Sequence, residues 1–159
     1  MSAALDTADI QGNILKGYKF AHVAHLFGWI DSGNLAQWRR FLKTIAKQVT
    51  LAEWKDKPRT TLNVGVSFRG IAKLRPETAP ELAKRFEAFA AGMSARASEL
   101  GDDGDFQRKP WDDRHVWLSL HAQTAGELDQ YVSQIKALAA RLDLAEQLPR
   151  GAARVIDGH

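Results

Sequence analysis

At 159 residues, 45% hydrophobic and 26% charged, the chain has the balance of one soluble globular domain over residues 1–159, and not of a disordered or membrane protein. A formal charge of +3 spread through amphipathic segments, without a basic stripe or a recognition motif, argues against a nucleic-acid partner. The lack of cysteine removes disulfides and thiolate ligation, so histidines and carboxylates remain as ligands for a metal or haem. The longest apolar run, around Val23 to Ile30, is interrupted by His25 and too short to span a bilayer. Met1 to Asp6 lacks the basic flank and apolar stretch of a secretory leader, so a cytoplasmic protein without membrane contact is expected.

The first strand is expected within Phe20 to Ile30, with Phe20, Ala24, Leu26 and Ile30 on one side and Val23, Phe27 and Trp29 on the other. A strand apolar on both faces calls for cover on both. Asp31 to Asn34 supplies a turn and a cap, and Leu35, Trp38, Leu42, Ile45 and Val49 follow at helical spacing. From Thr60 to Phe68, Leu62, Val64, Val66 and Phe68 alternate with Thr61, Asn63, Gly65 and Ser67, the cleanest strand signal in the chain. Ile71 to Leu74 reads as a short helical turn. Thr78-Ala79-Pro80-Glu81 reads as a capping box opening a helix whose apolar face is Leu82, Phe86, Phe89 and Met93, ending near Gly101.

Asp102 to Asp113, with Gly104 and Pro110, reads as a surface loop. In the strand His115 to Ala122, Val116, Leu118 and Leu120 face one way and His115, Trp117, Ser119 and His121 the other. A capping box at Thr124 and Glu127 opens a helix with Leu128, Tyr131, Ile135, Leu138 and Leu142 inward, and Ala152 to Ile156 is a last strand candidate. Strands alternating with helices fit either a parallel wound sheet or a ferredoxin-like antiparallel sheet with helices on one face. A glycine-rich phosphate loop is missing after the first strand, so a nucleotide site is not expected.

The histidines do not converge on a metal. His22 and His25, three apart on a strand, face opposite ways. His115 and His121 share a face, but at about 3.3 Å per residue they stand roughly 20 Å apart. His159 ends the sequence. Histidines hydrogen-bonded at a strand face are the expected reading, with His121 and His115 the candidates for a single axial haem ligand. The Asp102, Asp103 and Asp105 cluster lacks the spacing of a calcium loop, and no nucleophile elbow or zinc helix is present.

Five motifs occur in order. They are Asp9-Ile10-Gln11-Gly12-Asn13-Ile14-Leu15-Lys16-Gly17-Tyr18, Leu62 to Gly70, Gly92-Met93-Ser94-Ala95-Arg96-Ala97, Leu100-Gly101-Asp102 and Val116 to Ala122. Together they resemble the amino-terminal half of dye-decolorizing (DyP-type) haem peroxidases. The resemblance implies an α+β ferredoxin-like fold of the dimeric α+β barrel superfamily, with haem as cofactor. It also implies a catalytic aspartate in Gly-x-x-Asp-Gly and a proximal histidine in the carboxy-terminal half. The last residues, Arg154-Val155-Ile156-Asp157-Gly158-His159, place Arg154 where the motif's first glycine belongs, so Asp157 is not matched to the catalytic aspartate. Asp157-Gly158 instead resembles the pair that ends the family's amino-terminal domain. The family's distal arginine and proximal histidine have no counterpart here, so the chain alone is expected to be inactive as a peroxidase.

Helices cover one face of a ferredoxin-like sheet, which leaves the other face needing a partner. Trp117, His115, Val23, Phe27 and Trp29 are the residues expected there. The partner implied is a separately supplied carboxy-terminal peroxidase half or a second copy of this chain. A ferredoxin-like scaffold protein that homodimerises through this face is the alternative function, and a small haem protein using His121 or His115 is a third.

Overall fold

Leu62 to Val66 and Val116 to Ala122 lead because their alternation is strict and their apolar residues are branched or large, which suits a pleated half-buried surface. In the computed structural model, which describes residues 6–101 and 114–148, they become two of three strands. The elements in order are α1 (Gly12–Leu15), β1 (His22–Gly28), α2 (Leu35–Ile45), β2 (Thr60–Val66) and α3 (Phe68–Leu74). Then come α4 (Ala79–Arg85), α5 (Glu87–Ala95), α6 (Ala97–Leu100), β3 (Val116–Ala122) and α7 (Ala125–Ala140).

The strand order is β1-β3-β2, and β3 is antiparallel to both neighbours. β1 and β2 therefore run parallel, joined over α2, with β3 inserted between them. This split β-α-β arrangement is the ferredoxin-like α+β fold, and it excludes the parallel wound sheet. The strand candidate Ala152 to Ile156, the loop Asp102 to Asp113 and the residues Arg154 to His159 lie outside the described residues.

The even-numbered positions of the sheet carry the core. Ala24, Leu26, Leu62, Val116, Leu118, Leu120 and Ala122 are at most 1% exposed and pack with Trp38, Phe41 and Ile45 of α2 and Leu128, Ile135 and Ala139 of α7. Helices thus lie on one face of the sheet. α2 presents Trp38, Phe41 and Ile45 as its buried stripe, whereas the spacing predicts Leu42 in place of Phe41. Val49 falls beyond the helix, after a 3-10 turn at Ala46–Gln48. The Trp38 indole lies directly on β1. A Cβ on Gly28 would come within 2.4 Å of the ring, so glycine alone permits this approach. The indole N–H then donates to the Trp29 carbonyl at 2.9 Å.

At α7 the predicted capping box forms. The Thr124 hydroxyl accepts from the Glu127 amide, and the Glu127 carboxylate accepts from the Thr124 amide. Glu127 also pairs with Arg59, which together with Thr124 holds its carboxyl below the usual range.

The predicted box at Thr78 does not form. Thr78 already sits in a turn whose amide donates to the Arg75 carbonyl, its backbone is helical (φ −94°, ψ −16°), and its hydroxyl turns back to the same carbonyl. Nor is there one helix from Ala79 to Gly101. Phe86 (φ −133°, ψ 66°) separates α4 from α5, and Gly92 (φ 76°) kinks α5. Phe86, Phe89 and Met93, expected to face inward, are 50%, 42% and 61% exposed. Breaking the helix rotates each short piece, so residues at regular spacing no longer share a face.

Candidate functional site

The odd-numbered positions form the other face. Register sets Val23, His121 and Thr61 in one row, His25, Ser119 and Asn63 in the next, and Phe27, Trp117 and Gly65 in a third. The middle row is wholly polar. Polar side chains therefore lie between Val23 on one side and Phe27 and Trp117 on the other.

Part of this face is covered by the chain itself. Residues 10–18 form a strap along the outer edge of β2. The Gln11 carboxamide donates to the Val64 carbonyl and accepts from the Val64 amide, both at 2.8 Å, so one side chain takes the place of a neighbouring strand. Gln11 also bridges to Leu51, through Gly12 N–H to the Thr50 carbonyl and Ala52 N–H to the Ile10 carbonyl, each 2.7 Å. Tyr18, 5% exposed, lies edge-on to the His121 ring with centroids 5.3 Å apart. Beneath the strap Thr61, Asn63 and Ser119 are buried. The motif from Asp9 to Tyr18 is therefore a structural clasp.

Of the residues expected at a partner interface, Val23, Phe27 and Trp117 share this face and are half-buried. Trp29 lies past the end of β1 under the Arg114 guanidinium, 5.4 Å from the ring centroid. His115 precedes β3 and is 8% exposed, its Nδ1 accepting the Ile30 amide at 2.8 Å. An imidazole whose Nδ1 lone pair is used in this way carries its proton on Nε2 when neutral, so it has no lone pair for a metal.

His25 is held likewise, its Nδ1 accepting the Trp117 indole N–H at 3.2 Å. His121 Nε2 lies 2.9 Å from Ser119 Oγ. Burial pushes the imidazolium of His25 below its ordinary range. Burial, and then the charge of His25, does the same to His121. Both rings are neutral at neutral pH. Sequence reading compared histidines only within a strand and so missed that antiparallel register sets His25 and His121 diagonally on adjacent strands. His22, at the start of β1, belongs to the helix-bearing face.

Among the described residues no group of three histidines or carboxylates could hold a metal ion. Both candidate haem ligands are engaged within the fold. His115 has spent Nδ1, and His121 shares its Nε2 with Ser119 while Tyr18 stands against its ring. A cleft of about 310 Å³ opens at the third row, between Phe27, Gly65 and Trp117 and the chain at Ser67 and Arg114. Its described lining includes His115 and Arg114 and carries no carboxylate. A Cβ on Gly65 would sit 3.0 Å from the Trp117 ring, so the indole rests across β2. No helix among the described residues is long and apolar enough to cross a membrane.

A sheet with this strand order, helices on one face and a clasped edge defines the ferredoxin-like α+β class. No protein-family model matches the sequence, and no curated protein matches it. Among solved structures the chain is similar to DyP-type peroxidases. One from Anabaena sp. aligns at 24% identity with a TM-score of 0.68, over 85% of this chain and 32% of that one. A fungal DyP-type peroxidase from Auricularia auricula-judae aligns at 20% identity with a TM-score of 0.67, over 98% of this chain and 33% of that one. A dye-decolorizing peroxidase in complex with 2,6-dimethoxyphenol aligns at 21% identity with a TM-score of 0.70, over 96% and 34%. The chain has the fold of one portion of these enzymes and spans about a third of their length.

Proposed function

We propose that this polypeptide serves as the non-catalytic half of a DyP-type haem peroxidase, a scaffold against which a haem-bearing carboxy-terminal half packs. The observation that carries the reading is the fold. It corresponds over 85–98% of this chain to about a third of a DyP-type peroxidase, while His115 and His121 are engaged in holding strands and rings together. On this reading haem enters with the partner. The role of this chain is to offer the partly exposed Val23, Phe27 and Trp117 as packing surface and to keep that surface rigid through the Trp117–His25 bond and the clasped edge of β2.

The test is to co-purify the chain with a DyP carboxy-terminal half that contains Gly-x-x-Asp-Gly and the later histidine. A stable complex that binds haemin and oxidises dye with peroxide supports the proposal. A stable complex that does neither, or no complex at all, defeats it. The exposure of Phe27 and Trp117 favours one other reading, a ferredoxin-like scaffold that pairs with its own copy through this face. Sedimentation of the purified chain as a tight homodimer would select it.

A further inference from the structure

The cleft at the third row of the open face has a fixed frame. His115 joins the ends of β1 and β2 to the start of β3, its amide donating to the Gly28 carbonyl at 2.8 Å, its carbonyl accepting the Ser67 amide at 2.9 Å and its Nδ1 accepting the Ile30 amide at 2.8 Å. Trp117 is held by its indole bond to His25, and Gly65 lets the ring lie across β2, since a Cβ there would meet it at 3.0 Å. The space of about 310 Å³ is at the small end of the range in which ligand sites are found. Two half-buried aromatic rings, Phe27 and Trp117, line it, and its polar groups are few. The Ser67 hydroxyl accepts from the Gly70 amide at 3.2 Å, which leaves its hydrogen to donate. Arg114 brings the one formal charge of the described lining. Its guanidinium stands over the Trp29 ring, 5.4 Å from the centroid, and among the described residues no carboxylate lines the space to neutralise it.

We propose that this cleft binds a small planar aromatic carboxylate, with its ring against Phe27 and Trp117 and its carboxylate on Arg114. Each part of such a ligand answers to a part of the cleft. A flat apolar body packs on aromatic side chains in offset or edge-on contact. A carboxylate matches the planar fork of a guanidinium with two parallel bonds, and stacking on Trp29 holds that fork in place. Drawing a carboxylate out of water is costly unless charge and hydrogen bonds are returned to it, and Arg114 and Ser67 return both. A neutral aromatic molecule would leave Arg114 without a counter-charge, and an aliphatic acid would leave the rings without a partner. The combination therefore sets the class of ligand. The inference stands apart from the pairing proposed above, because every residue in it belongs to this chain.

The test is to titrate the full chain with 2-naphthoate up to about 10 mM while following the indole N–H signals by NMR. The expected result is a saturable shift of the Trp117 signal, with Trp38, sealed in the core, and Trp54, beside the strap, unmoved. Arg114→Gln should weaken binding roughly tenfold or more, because it removes a charge-assisted pair. 2-Naphthamide, which keeps the rings and loses the charge, should bind the unaltered chain more weakly by a similar factor, and this arm decides the matter if the variant does not fold. Absence of a saturable shift would overturn the proposal. So would equal affinity for acid and amide, which would mean apolar adhesion alone, or a shift centred on Trp54.

Discussion

The two faces of the sheet are built from alternate residues of the same three strands, yet they solve different problems. On the helix-bearing face, Leu118 and its neighbours are sealed by α2 and α7, and stability comes from packing. On the opposite face, Ser119 and its neighbours are covered by a strap and bonded in pairs, His121 to Ser119 and His25 to Trp117, around a polar middle row. One face is closed by apolar volume. The other is closed by hydrogen bonds and left open at Phe27 and Trp117. On the proposed reading, a partner docking there would meet a surface on which Trp117 and His25 are already bonded to each other.

The contrast is sharpest at neighbouring positions. Leu118→Ala, at a site with no exposure, is expected to cost about 2–5 kcal/mol in urea or thermal unfolding. Ser119→Ala, one residue on, removes the bond to His121 and should cost about 1 kcal/mol. Equal losses would show that the faces do not differ in this way. The glycines give the next largest difference. Gly28→Ala forces a Cβ into the buried Trp38 ring and should cost about 1–3 kcal/mol. Gly65→Ala meets the half-exposed Trp117, which can shift, so its loss should be clearly smaller in the same assay.

Acid should act on the polar face. Burial holds His25 and His121 below the ordinary histidine value of 6.5, so on acidification the unfolded chain takes up protons first. Their contribution to stability is complete above that ordinary value and is lost as pH falls below it toward their folded values. Urea midpoints followed between about pH 7.5 and pH 5 should therefore fall, and His25→Gln with His121→Gln should flatten the decline. An unchanged slope in the double variant would contradict the assignment. At the small end, Met93→Ser on kinked α5 should shift stability by less than about 0.5 kcal/mol, because the side chain is 61% exposed. A larger loss would mean that the α4–α6 arm is packed more firmly than its exposure indicates.

The helix-bearing face was legible in the sequence because alternation within one strand is a local signal, and Leu62, Val116, Leu118 and Leu120 followed it. α2 was legible to within one position, with Phe41 taking the place expected for Leu42. The opposite face was not legible in the same way. Its composition depends on register, which places His25 beside Ser119 and Asn63, residues 94 and 38 positions away in the chain. The clasp was visible as the motif from Asp9 to Tyr18, but the work of Gln11 is done at Val64, 53 residues on. The α4–α6 arm misled because helical spacing persists through Phe86 and Gly92 while the backbone does not.

The histidines of this sheet hold the fold, and on the proposed reading any haem would be held by residues outside them. Titrating the purified chain with haemin, alongside His121→Ala and His115→Ala, tests it directly. The account predicts that neither substitution alters the Soret band. A red-shifted Soret band in the unaltered chain that disappears in either variant would contradict it.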